Sequence, residues 1–491
     1  MKTACNITSF LFEELSERQP KAPFLCCDGT VLTIEDFQTL VVRQCNIFSA
    51  SGLIQGDAVL VATGRGNDFW IDVFALWRMG AIAVPIEAAN NLEELRRIAQ
   101  MSRARRLLCA AAQCEGLASL GLEMIDRSRL GVQPEVPATP LPAGATAMIL
   151  FTSGSTGQPK GVVLSHGAIL GNALSTRERI FLRPGDRLLF VIPFRFVSAL
   201  SHVLVGLLAG TEVFGFERTL MQSDFCQLIA RHGCTAYGGS PLQARWIAEF
   251  MEQSGSPERA FPHLRWLMSS GDYMREELAQ RLMRQGLDVI IAYGLTEVAG
   301  RLCVRHVNRE RSNTVGRPIR GLAVSYVPPA TPNDSDRILA VQGEFLFDGY
   351  IGDPERSISA NGERFFRTGD VGDINDDGSV SLSGRADDVF KVAGNKVSCL
   401  AIAAALLELE TVKEVAVLAR PYPVLGMAPH AYVVSRAGGE FDKGSALRHI
   451  RSALGSSHIP RSVTLVSRIP RTGSGKVDRR ALVEMVETMK G

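Results

Sequence analysis

The sequence lacks the features that mark metalloproteins, disulfide-bonded proteins and nucleic-acid-binding proteins. Its ten cysteines include no CxxC pair and no His/Cys cluster with zinc spacing, and Cys26 and Cys27 are the one close pair. This distribution predicts reduced, buried thiols. Lysine plus arginine number 53 against 51 aspartate plus glutamate, a formal net charge of +2. A balanced, interspersed charge argues against nucleic acid as the main partner.

The sequence also lacks the long apolar segments of a signal peptide or a membrane span. The first residues lead into an amphipathic stretch that contains Glu13 and Glu14 rather than an apolar core. The apolar stretch 203–215 is interrupted by Thr211 and Glu212 and is too short to cross a bilayer. We therefore expect a cytoplasmic protein with no membrane span.

The length and the pattern along the chain predict an α/β protein of two main domains. At 491 residues, of which 46% are hydrophobic, the chain exceeds one ordinary core. Strand-like apolar runs such as 58–62 and 187–192 alternate with helical stretches up to about residue 300, which indicates layered α/β subdomains. Short strands and Gly/Asp/Asn turns, including a hairpin turn predicted at 375–378, then indicate a β-rich subdomain at about 320–385, within a large N-terminal domain, 1–385. A compact α+β pattern, with a helix predicted at about 443–453, indicates a small domain at 388–491.

The stretch 152–160 is the most informative part of the sequence. It follows the apolar run 147–151, which predicts a buried strand. Glycines let backbone N–H groups approach an anion, hydroxyls add donors, and a lysine adds charge for phosphate oxygens. The residues that would do so are Thr152, Ser153, Gly154, Ser155, Thr156, Gly157 and Lys160. The stretch is not a Walker A loop, because Pro-Lys-Gly replaces the Gly-Lys-Ser/Thr ending.

Two further motifs carry side chains suited to binding a nucleotide. The motif 293–297 follows the predicted strand 289–292, and strand ends are common ligand sites. Its tyrosine can stack on a base, its threonine can donate to phosphate, and its glutamate can hold Mg²⁺. The motif 365–370 ends in an aspartate that can accept ribose hydroxyls if it lies at a turn. An ordinary turn is the alternative interpretation of each motif alone.

Two more motifs lie towards the C-terminus. The stretch 384–394 contains Arg385, which could reach a ribose or phosphate, and Asp387, where the pattern changes domain. The stretch 470–480 contains Lys476 on a Gly-rich loop, suited to neutralise charge between a carboxylate and an α-phosphate. A charged connector and a flexible basic tail are the alternative interpretations.

Together these five motifs, in this order, resemble those of the adenylate-forming superfamily, which contains acyl-CoA synthetases, nonribosomal-peptide adenylation domains and luciferases. The resemblance begins with the segments that start at Gly56 and Gly80, and it ends at Lys476. It implies a large N-terminal domain and a small C-terminal lid on a hinge. It also implies AMP-forming acid–thiol ligase activity: a carboxylate attacks the α-phosphate of MgATP, and a thiol then takes the acyl group from acyl-AMP. Such chemistry needs positioning and charge neutralisation more than a covalent nucleophile.

The resemblance also implies roles for individual residues. The stretch 152–160 would cradle the β- and γ-phosphates, Thr296 would contact the α-phosphate, and Glu297 would ligate Mg²⁺. The remaining implied roles are adenine contact by Tyr293, Gly271 and Asp272, ribose binding by Asp370 and Arg385, completion of the adenylation site by Lys476, the hinge at Asp387, and the thiol path at Gly394.

The predicted substrate pocket, in the stretch 193–202, departs from the family pattern. It has no aspartate for an α-ammonium group, which disfavours an α-amino acid, and Val197 lies near the place of the aryl-acid asparagine. Phe196 replaces a common histidine. Arg195 could pair with a second carboxylate or polar group of the substrate, or internally, and His202 completes the candidate pocket. An aromatic or a short-to-medium aliphatic acid is the resulting prediction.

The sequence leaves the thiol acceptor open. The stretch 390–398 resembles the loop of benzoate-type CoA ligases, whereas 475–482 resembles the ending of adenylation domains that load carrier proteins. Both CoA and the phosphopantetheine of a carrier protein therefore remain candidate acceptors, and the oligomeric state is open. A luciferase-like monooxygenase and a non-catalytic nucleotide-binding protein are the alternative functions.

Overall fold

The computed structural model divides the chain into two compact units. It describes residues 6–27, 29–63, 66–87, 91–109, 114–125, 136–153, 159–216, 221–327, 337–352, 364–386, 389–392, 395–422, 426–436, 441–471 and 477–488. The first unit comprises Met1–Glu310, Arg317–Ala323 and Gln342–Phe366. The second comprises Arg311–Gly316, Val324–Val341 and Arg367–Gly491. The predicted boundary at Asp387 lies outside the described residues and stays a prediction.

Short strands alternate with helices through the first unit. The strands up to residue 318 are Pro23–Cys27 (β1), Thr30–Thr33 (β2), Ala58–Ala62 (β3), Ile82–Pro85 (β4), Arg106–Cys109 (β5), Glu123–Met124 (β6), Thr146–Ser153 (β7), Pro159–Ser165 (β8), Arg187–Val191 (β9), Glu212–Phe216 (β10), Ala236–Gly239 (β11), Trp266–Ser270 (β12), Asp288–Leu295 (β13), Gly300–His306 (β14) and Arg317–Pro318 (β15). The helices are Ile7–Ser16 (α1), Ile34–Ala50 (α2), Asn67–Met79 (α3), Leu92–Ser102 (α4), Cys114–Leu117 (α5), His166–Arg179 (α6), Val197–Ala209 (α7), Gln222–Arg231 (α8), Pro241–Gln253 (α9), Pro257–Ala260 (α10) and Glu276–Arg284 (α11).

The remaining strands and helices follow in chain order. The strands are Leu322–Tyr326 (β16), Ile338–Gly343 (β17), Gly349–Tyr350 (β18), Phe366–Ile374 (β19), Val380–Arg385 (β20), Val389–Val392 (β21), Asn395–Ser398 (β22), Val412–Tyr422 (β23), Gly426–Ser435 (β24) and Ser462–Leu465 (β25). The helices are Cys399–Leu407 (α12), Lys443–Leu454 (α13) and Arg479–Thr488 (α14).

Two large sheets organise the first unit. The nine-stranded sheet has the order β15-β14-β13-β12-β11-β9-β10-β1-β2, and the seven-stranded sheet has the order β18-β8-β7-β4-β3-β5-β6. Neighbours from β13 through β12, β11, β9 and β10 to β1 are parallel, so their carboxyl ends meet at one edge. These strands are apolar and buried because helices cover both faces of such a sheet. That edge is where the first unit can hold a ligand.

The strands of the first unit agree with the sequence prediction, except that one strand extends further than predicted. The run 58–62 forms β3, and the predicted strand 187–192 appears as β9. The prediction that 293–297 directly follows its strand is wrong, because β13 continues to Leu295. Antiparallel β14 pairs with Tyr293, Gly294 and Leu295, which keeps these residues in the sheet.

The second unit contains three small sheets. Their orders are β16-β17-β19-β20, β21-β22 and β23-β24-β25. The antiparallel pair β19–β20 confirms the predicted hairpin at 375–378. Asp370, predicted at a turn, instead lies inside β19. Helices α12 and α13 pack on β23 and β24 through apolar residues such as Ile402, Leu406 and Ile450.

Candidate active site

The two ends of the predicted phosphate loop lie on one hairpin of the first unit. Thr152 on β7 and Lys160 on β8 are register partners of the antiparallel pair, so the strands fix the two residues beside each other. The backbone of Ser153 ends β7. The predicted loop residues Gly154, Ser155, Thr156 and Gly157 lie outside the described residues.

A tyrosine that sequence reasoning missed joins this hairpin to the predicted magnesium ligand. Strand β18 pairs with β8, which places the Tyr350 ring 5.5 Å from Lys160 Nζ. The Tyr350 hydroxyl donates to Glu297 Oε1 at 2.7 Å. The backbone N–H of Phe347 donates to the Glu297 carbonyl at 2.8 Å. The segment around residue 350 therefore positions both the Glu297 turn and the Lys160 side chain.

The turn that contains Thr296 and Glu297 is a single 3-10 turn, Thr296–Val298, between β13 and β14. It closes through Ala299, whose φ of 59° lies in the left-handed region that residues with a Cβ seldom adopt. Its N–H donates to the Thr296 carbonyl at 3.0 Å. Such local strain persists only where surrounding structure holds it, and here the contacts of Glu297 supply that support.

One carboxylate beside a lysine suits a magnesium ion that arrives with a nucleotide. Magnesium in such sites takes one or two protein carboxylates, and phosphate oxygens and water provide its other ligands. Within the described part of the chain, no group of three or more His, Cys, Asp or Glu side chains could hold a metal ion. Glu297 would therefore be its ligand from this region, with Lys160 close by for phosphate charge.

The residues predicted to border adenine lie at the carboxyl edge of the nine-stranded sheet. Ser270 and Ala292 are register partners in β12 and β13, so Gly271 and Tyr293, the next residues, lie at the same level of the edge. Gly271 has a φ of 88°, which favours glycine there. Asp272 follows it, and its carboxylate accepts a hydrogen bond from the Tyr273 N–H at 2.8 Å.

The two predicted ribose residues are brought together in the second unit. Asp370 and Arg385 are register partners of β19 and β20, and Arg385 Nη1 donates to Asp370 Oδ1 at 3.0 Å. The same nitrogen donates to the Thr368 carbonyl at 2.9 Å. Gly369 has a φ of 74°, and a Cβ there would lie 2.8 Å from Arg385 Nη2. The positive φ favours glycine at this position, and a Cβ there would displace the Arg385 guanidinium.

Three of the predicted pocket residues lie where α7 begins. Phe196 is the N-cap and Val197 the first residue of the helix. Arg195 Nη2 pairs with Glu87 Oε2 at 2.7 Å, and its guanidinium carbon lies 4.7 Å from the Phe196 ring centroid. These contacts favour the interpretation in which Arg195 pairs within the protein, over the one in which it pairs with the substrate.

The fourth pocket residue, His202, is buried and faces an arginine that sequence reasoning missed. Arg301 Nη2 lies 3.3 Å from His202 Nε2, and both side chains are buried. Burial, with a smaller contribution from Arg301, lowers the pKa of His202 to about 3. The imidazole is therefore neutral at physiological pH. The sequence signal for Arg301 was a charge in the apolar strand that directly follows the 293–297 motif.

Three predicted residues cannot be placed. Lys476, Asp387 and Gly394 lie outside the described residues, so their roles remain predictions.

Comparison with known proteins identifies the family. The family model described as "AMP-binding enzyme" matches residues 12–351, and the model of the AMP-binding enzyme C-terminal domain matches residues 401–476. The chain belongs to the AMP-binding enzyme family. This confirms the resemblance seen in the sequence.

Relatives within the AMP-binding enzyme family include a plipastatin synthase and a CoA synthase. A plipastatin synthase subunit of Bacillus subtilis (strain 168) is 27% identical over 96% of this chain, which spans 19% of that protein. Feruloyl-CoA synthase of Amycolatopsis sp is 27% identical over 93% of this chain and 94% of its own. The chain thus covers a small part of one relative and nearly all of the other.

A solved structure of the same fold confirms the predicted fold class. ATP-bound MatB from Rhodopseudomonas palustris superposes with a TM-score of 0.85 at 23% identity, covering 98% of this chain and 99% of its own. The mixed α/β architecture with a large N-terminal and a small C-terminal domain is therefore that of AMP-binding enzymes. Among the described residues, no helix is long and apolar enough to cross a membrane.

Proposed function

We propose that the protein is an acid–thiol ligase that forms AMP. In the first step a substrate carboxylate oxygen attacks the α-phosphorus of ATP, and pyrophosphate leaves. In the second step a thiol sulfur attacks the carbonyl carbon of the acyl-adenylate, and AMP leaves. The observation that supports this proposal most is the grouping of Lys160, Tyr350 and Glu297 in a chain of the AMP-binding enzyme family.

The chain's own residues would position the reactants and neutralise their charge, rather than form covalent intermediates with them. Lys160 would attract the phosphates beside Thr152, and Thr296 would donate to the α-phosphate. Glu297, held by Tyr350, would keep a fixed orientation towards a magnesium ion. When bound, that ion would offset phosphate negative charge in both the bound nucleotide and the leaving pyrophosphate.

The proposed ribose residues belong to the second unit. The Asp370 carboxylate is oriented by Arg385, as expected of a group that accepts ribose hydroxyls. Lys476 would neutralise charge between the attacking carboxylate and the α-phosphate. Asp387 would serve as the hinge and Gly394 would line the thiol path, as the family resemblance implies.

The acceptor stays open between CoA and a phosphopantetheinyl carrier protein. Relatives of two kinds support the two alternatives, because one is a feruloyl-CoA synthase and another belongs to a plipastatin synthase. A cytoplasmic location also stays a prediction.

The experiment that tests the proposal separates the two half-reactions. Acid-dependent pyrophosphate release from MgATP is measured across an acid panel, and CoA or a holo carrier protein is then supplied with the best acid. Lys476→Ala should lower pyrophosphate release by at least about 100-fold, since it removes a charge that acts at the reacting phosphate. Transfer from supplied acyl-AMP should persist in this variant.

The exposed Lys443 provides the control. Lys443→Ala should behave as the wild type in both half-reactions. Equal loss of both half-reactions in Lys476→Ala would contradict the proposed role of Lys476. Absence of acid-dependent pyrophosphate release in the wild type would contradict the ligase itself.

A further inference from the structure

Strand β14 contains two arginines in a setting that normally excludes charge. All seven residues of the strand are buried, and Arg301 and Arg305 are 3% and 1% exposed. Removing a charged group from water costs several kcal/mol unless a partner of opposite charge and hydrogen bonds compensate. Each buried guanidinium therefore needs a partner.

Arg305 finds its partner within the chain. Its two terminal nitrogens donate to the two carboxylate oxygens of Glu276, at 2.7 Å for Nη1 and 2.8 Å for Nη2. This fork-to-fork geometry is the strong form of the arginine–carboxylate pair. The charge of Arg305 is thereby neutralised by the fold.

Arg301, four residues earlier, has no such partner. Among the residues that the structure describes, no carboxylate lies within ion-pair distance of its guanidinium, and Arg301 Nε makes no hydrogen bond. Its side-chain contacts are with His202, 3.3 Å to Nε2 and 3.4 Å to Nδ1. Burial alone lowers the pKa of Arg301, to about 10, which leaves the guanidinium charged at neutral pH.

His202 does not supply negative charge. Its Nδ1 lies 2.5 Å from the Ser198 carbonyl, which can only accept, so Nδ1 holds the proton. Arg301 Nη2 lies at nearly equal distances from Nε2 and Nδ1, so it contacts the neutral ring as a whole rather than the lone pair of one nitrogen. The histidine contacts the guanidinium and supplies no negative charge to it.

The position of the pair connects it to the proposed reaction site. Arg301 is the register partner of Gly294, two residues before the Thr296 turn. The His202 ring stacks on Phe190 of β9, with centroids 5.6 Å apart. It also lies against Gly238 of β11, where a Cβ would be 2.1 Å from Nε2. The guanidinium therefore lies over the parallel strands of the nine-stranded sheet, beside the motif that holds Thr296.

We propose that Arg301 binds a second carboxylate of the substrate, so that the acid activated is a short dicarboxylic acid. This inference rests on the proposed ligase function and specifies its substrate class. Gly294, the register partner of Arg301, lies two residues before Thr296, the proposed α-phosphate contact, so a second carboxylate bound at Arg301 would belong to an acid with a short spacer. A guanidinium matches a carboxylate in shape as well as charge.

His202 acts in this proposal as a positioning residue. Its neutral ring contacts one terminal nitrogen of Arg301, Nη2, and Arg301 Nε has no partner among the described residues. N–H donors of the guanidinium thus remain for a carboxylate. Arg195, which the sequence offered for this role, is instead paired with Glu87.

Binding is tested first without ATP, so that the anion site is measured apart from catalysis. Glutarate and valerate, matched in chain length, are titrated into the full chain by calorimetry. Wild type should bind glutarate at least about tenfold more tightly than valerate, because a buried charged pair contributes strongly. Arg301→Met should abolish this preference, and Arg301→Lys should restore part of it.

Activity is tested next, as pyrophosphate release with glutarate, succinate and phthalate against valerate, butyrate and benzoate. Arg301→Met should lower kcat/KM for the preferred diacid by about 100-fold, mainly through KM, and change the values for monoacids by less than about threefold. The exposed Arg309 provides the control, since Arg309→Met should leave both classes unchanged.

The outcomes separate this inference from the proposed function. Monoacids used as well as diacids, or an equal loss with both classes in Arg301→Met, would overturn the second-carboxylate site and leave the ligase in place. Selective glutarate binding without acid-dependent pyrophosphate release would support the anion site and contradict the ligase.

Discussion

The two buried arginines of β14 differ in how the fold treats their charge. Arg305 donates to both oxygens of Glu276, so its charge is compensated whether or not a ligand is bound. Arg301 faces neutral His202, and no carboxylate of the described residues neutralises it. The two arginines are thus similarly buried, but they differ in whether the described fold neutralises their charge. One arginine contributes to stability through its partner, and the other keeps a charge ready for a ligand.

The largest effect on stability should come from removing the carboxylate partner of Arg305. Glu276→Gln leaves the Arg305 charge buried without its partner, which should lower the free energy of unfolding by about 3–5 kcal/mol. Urea denaturation of the full chain measures this change.

The neighbouring Glu277 provides the control for that measurement. It pairs with Arg275 at 3.2 Å, but its side chain is 70% exposed, so Glu277→Gln should cost about 0–1 kcal/mol. Similar losses in both variants would mean that burial does not distinguish the two ion pairs.

An intermediate effect should appear in the pH dependence of the free energy of unfolding, through His202 beside Arg301. His202 has a folded pKa of about 3 against about 6.5 when unfolded, so the unfolded state binds an extra proton between these values. The contribution of His202 is complete above pH 6.5 and is lost as the pH falls towards 3, at up to about 1.4 kcal/mol per pH unit. His202→Gln should make the stability of the protein less steeply dependent on pH in this window.

Two other histidines serve as comparisons in that experiment. His166 is also buried, and burial lowers its pKa to about 4, so His202→Gln should remove only part of the dependence. The exposed His263 is the control, and His263→Gln should keep the wild-type slope. An unchanged slope in His202→Gln would show that the ring is not kept neutral by burial.

The smallest of these effects should come from filling the space beside His202. An alanine Cβ at Gly238 would lie 2.1 Å from Nε2 and 2.3 Å from Cδ2, so the ring must move. Gly238→Ala should cost about 1–3 kcal/mol and weaken glutarate binding through the displaced ring. Gly144, which has open space around its Cβ position, gives the control Gly144→Ala. Glutarate binding unchanged in Gly238→Ala would contradict the positioning role of His202.

Much of the fold could be predicted because apolar runs report strands directly. The run 58–62 and the helix pattern 443–453 appear almost unchanged, since local periodicity determines such elements. The end of β13 was missed because antiparallel pairing with β14 holds Tyr293 in the sheet. Asp370 was predicted at a turn, and there too antiparallel pairing, with Arg385 of β20, keeps the residue in a strand.

The candidate site was predicted less completely, because several of its contacts join residues distant in sequence. The motif residues Glu297 and Lys160 were found from local chemistry. Tyr350, which links them, has no local signal of its own and becomes visible only through the pairing of β18 with β8. His202 was singled out without its partner, since nothing in the sequence indicates that α7 and β14 bring it to Arg301.

The most direct test of the account is a crystal structure with a non-hydrolysable adenylate analogue of glutarate. The account predicts the adenylate beside Thr296 and Glu297, with the free carboxylate about 3 Å from the guanidinium nitrogens of Arg301. A free carboxylate directed to solvent or to Arg195, with Arg301 contacting only His202, would contradict it.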